Sequence, residues 1–157
     1  MLYLEDKNAL EFIPVLEQSD FSFKPLAEID DLAPVLHKLN GIEDFQSGNL
    51  LSHLMGGYIL RYQGVDLLKP QCCCDLNNLN DWKLVLSYKE PSWTMHWIGH
   101  PWVRVKFDDG YLLFTDYTEA ESKKARFAVK PEVLAGPVKQ AEKQVRTFAE
   151  WVFRSTG

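Results

Sequence analysis

The chain has 157 residues, 46% hydrophobic and 25% charged, with a formal net charge of -5, which suits one globular domain over 1-157 with a single core. An acidic balance argues against a nucleic-acid binder, because affinity for phosphate comes from clustered cations. No window approaches the roughly 18 apolar residues of a membrane span, and the start "MLYLEDKNAL" has neither the basic region nor the long apolar run of a signal peptide.

In chain order, "NALEFIPVLEQ" is ambiguous, and Pro14 breaks it. "DDLAPVLHKLNG" reads as a short helix. Asp31 caps it, Pro34 falls in its first turn, Leu32, Val35, Leu36 and Leu39 form the apolar stripe, and Asn40-Gly41 stops it. "GYILRYQGVDLLKP" reads as two strands around Gln63-Gly64, ended by Pro70. "DLNNLNDWKLVLSYK" reads as a helix with Leu79, Trp82 and Leu86 on one face and Asn77 or Asn78 as its cap.

The clearest strands are "WTMHWIG" and "WVRVKFDDGYLLFTDY". Val103, Val105 and Phe107 share one face, and Trp102, Arg104 and Lys106 the other. Asp108-Asp109-Gly110 is a hairpin turn, with Gly110 supplying the positive φ. "ARFAV" adds a strand. Gly136-Pro137 then opens a long helix whose stripe is Val138, Ala141, Val145, Phe148 and Val152. The order helix, strands, helix, strands, helix predicts an α+β fold with a mostly antiparallel sheet, flanking helices and a long C-terminal helix.

Two stretches carry the candidate chemistry, "PQCCCDLNNLNDW" and "HWIGHPWVRV". Three adjacent cysteines give no disulfide framework, which predicts a reduced, cytoplasmic protein. Zinc is one reading, with Cys72, Cys74, His96 and His100 converging, although the spacing departs from the C-x2-C pairs of structural sites. A nucleophile is another, with Cys74 activated by His96 or His100, Asp75 or Asp116 as orienter, and a following helix lowering the thiol pKa. The preferred reading is structural. Small buried thiols pack against a Trp-rich hairpin, Asp75 braces the turn, Gly99 permits a bend, and His100 is a core-edge histidine bonded to a backbone carbonyl. No GxGxxG, P-loop, HExxH or GxSxG is present, so no cofactor is predicted.

The same two stretches resemble a pattern in small bacterial proteins, some of which act as immunity proteins of polymorphic-toxin or contact-dependent inhibition systems. The similarity spans about residues 57-120. It implies a cytoplasmic α+β domain that binds and blocks a cognate protein toxin, without catalysis or cofactor.

Charge patterning fits that implication. Residues 1-50 carry 3 Lys/Arg against 10 Asp/Glu, whereas residues 120-157 carry 8 against 4. An acidic front steers a toxin with a basic surface. The candidate contacts are Asp30, Asp31, Glu43 and Asp44, with Asp108, Asp109, Asp116 and Glu119 on the hairpin side, and Trp93 or Tyr117 as aromatic anchor. A homodimer through exposed tryptophans is a further possibility for partners.

Overall fold

The computed structural model describes residues 1-43, 45-121 and 124-156, with the side chain of Ser47 set aside. The fold is α+β. Nine strands are described: β1 (Leu2-Tyr3), β2 (Leu10-Glu17), β3 (Phe23-Pro25), β4 (Gly56-Tyr62), β5 (Val65-Leu68), β6 (Thr94-His96), β7 (Val103-Asp108), β8 (Tyr111-Thr115) and β9 (Ala125-Val129). The α-helices are α1 (Ala33-Leu39), α2 (Leu79-Leu86) and α3 (Pro131-Thr156). One sheet has the order β1-β9-β8-β7-β6 and the other β3-β2-β4-β5. Every pairing is antiparallel except that of β1 with β9.

Three expectations are corrected. Strands, not a helix, open the chain, and β2 runs straight through Pro14. On its outer edge β3 pairs with β2 only from Val15 onwards, so Pro14 sits where that edge is bare and a missing N-H is tolerated. The long helix begins at Pro131 rather than at Pro137, which lies inside it. Pro131 takes the first-turn position suited to proline, and the Lys130 carbonyl accepts from the Val133 and Leu134 N-H groups.

The apolar stripe of α3 is buried at Leu134, Val138, Ala141, Val145, Phe148 and Val152. It spans 26 residues, or about 39 Å, and packs against β2, α1 and α2.

Trp82 on α2 joins the two sheets. Its ring lies 4.9 Å from Phe12 of β2, edge to face, and 5.9 Å from Phe114 of β8. Phe12 stacks on Tyr58 of β4 at 4.9 Å, and Phe114 on Phe127 of β9 at 5.0 Å. A file of aromatic rings therefore crosses the molecule with Trp82, wholly buried, at its centre. Burying such rings supplies much of the apolar area that holds a small domain together. Among the described residues no helix is long and apolar enough to cross a membrane.

Candidate functional site

The cysteines occupy a reverse turn, Gln71-Cys74, closed by the Cys74 N-H donating to the Gln71 carbonyl at 3.3 Å. Cys73 has a φ of 76°, a left-handed conformation that residues with a Cβ adopt at a cost. Both sides of the turn are sewn down. Towards the larger sheet, the Gln71 N-H donates to the Ile98 carbonyl and the His100 N-H to the Cys72 carbonyl. Towards the smaller sheet, the Gly56 N-H donates to the Cys74 carbonyl. Gly99 lets the first of these contacts form. At its φ of 108°, a Cβ would stand 2.5 Å from the Gln71 carbonyl, far inside van der Waals contact. Asp75 braces the turn as expected, its Oδ1 accepting from the Asn77 N-H at 2.9 Å.

The packed-corner reading holds for one thiol of three. Cys74 is buried, whereas Cys72 and Cys73 are exposed. Burial, reinforced by the Asp75 carboxylate, pushes the Cys74 thiol up to about 12, so it stays protonated at neutral pH. The expected lowering by a following helix is overturned. A helical turn does follow directly, Leu76-Asn78 running into α2 at Leu79, but desolvation of the buried thiol outweighs its dipole. A buried thiol held in its protonated form lacks the thiolate character of an activated nucleophile.

The core-edge expectation for His100 is corrected, and the buried histidine is His96. His100 is the exposed one, its Nδ1 3.1 Å from Glu119 Oε1 rather than on a carbonyl. Its backbone N-H is spent on Cys72, and its ring sits against Trp97 and Trp102 at 4.8 and 5.4 Å. His96 is the buried one, its ring 4.4 Å from that of Trp82. Burial drives its imidazole down to about 3, so it is neutral in the folded protein. Cys72, Cys74, His96 and His100 do not converge on a zinc site. Among the described residues no three His, Cys, Asp or Glu side chains are placed to hold a metal ion.

The acidic candidates fall into separate groups. Asp30 and Asp31 are exposed on the rim of a groove of about 410 Å³ that also takes in Glu17, Gln18 and Ser19. Asp31 Oδ1 accepts from the Ala33 N-H at 3.0 Å, at the start of α1. Glu43 is exposed beyond α1, and Asp44 lies outside the described residues. Asp108 and Asp109 project from the β7-β8 turn. Asp116, Tyr117 and Glu119 follow the opposite end of β8, where Asp116 lies 3.6 Å from Arg126.

The two aromatic candidates are half-buried. The Tyr117 hydroxyl accepts from the Lys69 N-H at 2.8 Å, and Lys106 Nζ covers the Trp93 ring at 4.9 Å. Of the five tryptophans, Trp82 is buried and the other four are half-buried.

Sequence reasoning missed the most exposed aromatic residue. Phe21 is 80% exposed at the tip of the β2-β3 turn, with a φ of 65°. The turn is rigidly tied. The Phe21 N-H donates to the Gln18 carbonyl and the Gln18 N-H to the Ser22 carbonyl. Asp20 Oδ1 accepts from both the Ser22 hydroxyl at 2.6 Å and the Ser22 N-H at 3.1 Å, bonds that hold the Asp20 carboxyl below its usual range. The available signal was an aromatic residue set in turn composition, "QSDFS". Gln18 and Ser19 of this turn share the groove with Glu17, Asp30 and Asp31, which also takes in Lys24 and Lys38.

No protein-family model, curated protein or solved structure matches the chain.

Proposed function

We propose that this protein is a cytoplasmic binding protein that occludes a cognate toxin domain, and that its contact face is the β2-β3 turn with the acidic rim beside it. One observation carries the reading: a large apolar ring is held out in water on a left-handed residue. That conformation is a genuine outlier for a bulky side chain, and such strain persists where the surroundings enforce it, characteristically at ligand clamps and switches. An exposed aromatic gains most when a partner desolvates it, which is the behaviour of an interface hot spot. The carboxylates of Glu17, Asp20, Asp30 and Asp31 complement a basic partner and raise the rate of encounter. The occupant that this chemistry fits is a basic protein domain with an apolar socket.

Gentle purification at low salt from cells that naturally make the protein, with mass spectrometry of what accompanies it, tests the reading. The expected result is one basic protein, released by high salt, that arrests growth when expressed alone and is neutralised by co-expression of this chain. Phe21→Ala should weaken that complex by about 2 kcal/mol, roughly 30-fold, mainly through faster dissociation. Asp30→Lys should slow association at low salt. A partner that binds both variants as well as the parent would overturn the assigned face. A chain that brings down nothing and protects against nothing would overturn the function.

A further inference from the structure

Cys72 and Cys73 are both exposed and adjacent in the chain. In extended backbone their side chains would point to opposite faces. The left-handed φ of Cys73 breaks that alternation, and the Cys73 thiol is the neighbour that most strongly raises the Cys72 thiol. Backbone bonds to Ile98, His100 and Gly56 pin the main chain of the turn at both flanks. Reverse turns with positive φ at the third residue ordinarily take glycine or asparagine there. Here a cysteine stands instead, next to a second exposed cysteine on the same pinned turn.

We propose that Cys72 and Cys73 form a vicinal dithiol site that chelates a soft, thiophilic centre of low coordination number, with a trivalent arsenical as its representative ligand. Soft sulfur donors select soft centres. No third His, Cys, Asp or Glu among the described residues completes a metal-holding group, which disfavours a four-coordinate ion such as zinc and suits a centre that brings its own remaining substituent. The surroundings also separate chelation from nucleophilic chemistry. The Cys73 thiol and the Glu17 carboxylate both raise the Cys72 thiol, whereas reactive cysteines sit in electropositive settings. Condensation with an organic arsenoxide needs no standing thiolate. Two S-As bonds form, two S-H bonds and the As=O bond break, both protons leave with the oxygen as one water, and no oxidation state changes. Glu17 is shared with the acidic rim beside Phe21, but chelation by the two thiols does not rest on the function proposed for that rim.

The test uses the reduced full-length protein, phenylarsine oxide and intact-mass spectrometry under native conditions. The expected result is a single adduct that survives excess 2-mercaptoethanol and is stripped by dithiothreitol. Because the second sulfur acts intramolecularly, Cys72→Ser and Cys73→Ser should each reduce retention about a hundredfold. Both residues are exposed, so the variants should stay folded, which thermal melting verifies. Cys74→Ala should keep the adduct. Equal retention in either serine variant, loss of the adduct in folded Cys74→Ala, or a parental adduct removed by the monothiol would each overturn the proposal.

Discussion

The β7-β8 turn and the β2-β3 turn meet the same geometric demand with opposite residues. At the first, Asp109 and Gly110 take φ values of 50° and 84°, and Asp-Gly is the pair that such a hairpin favours. Gln63 and Gly64 do the same between β4 and β5, with φ values of 51° and 78°. At the β2-β3 turn the left-handed residue is Phe21, and at the cysteine turn it is Cys73. Neither side chain is needed by the core, since both point into water. The first kind of turn is chosen for folding. The second keeps an unfavourable residue where its side chain is presented, which is the pattern expected of working surface.

That contrast can be broken most severely at Gly99, the glycine against whose backbone the cysteine turn packs. Gly99→Ala should cost about 3 kcal/mol or more, from left-handed strain plus backbone overlap with Gln71, read as a lower urea midpoint. A small effect would mean that the turn is less tightly pinned than its bonds imply.

Next in size is an acid effect arising in the core rather than in the turns. His96 has a folded value of about 3, below the ordinary 6.5 of an unfolded chain. Between those values the unfolded state binds a proton that the folded state does not. The stability tied to neutral His96 is therefore complete above pH 6.5 and drains as pH falls towards 3. By about pH 4.5 the loss should reach about 2-3 kcal/mol. His96→Phe should flatten that limb of the stability-pH curve, and an unchanged slope would refute the assignment.

The smallest effects sharpen the comparison itself. Cys73→Gly and Phe21→Gly should each raise stability by up to about 1 kcal/mol, by relieving left-handed strain that outweighs the added chain entropy. The first should abolish arsenical retention and the second partner binding. Two destabilised variants in urea denaturation would place both turns with the ordinary hairpins.

Much of the fold was legible in the sequence. Strict alternation in "WVRVKF", the Asp-Asp-Gly turn and the 3-4 spacing of the α3 stripe each encode a burial pattern that water enforces on any chain. The departures have local causes. Pro14 looks like a breaker unless the bare outer edge of β2 is known. Pro137 imitates a helix start, yet Pro131 takes that place. The two-residue β1 is too short to show a period. Of the site, the brace at Asp75 and the bend at Gly99 were readable, because short-range backbone geometry dictates them. Which histidine is buried was not, since it follows from where α2 lands across two sheets and not from any neighbour in the chain. Phe21 escaped for a related reason, because an aromatic residue in turn composition reads as core until its exposure is seen.

The Gln71-Cys74 turn donates to Ile98 and accepts from His100 beside the larger sheet, and accepts from Gly56 of the smaller one. It is a shared clasp, and neither sheet can open at that edge while the other keeps all its bonds. The amides of Gly56, Gln71 and His100, far apart in sequence, belong to one cooperative unit for solvent exchange. Protection at any one of them reports on the integrity of the seam between the two halves of the molecule.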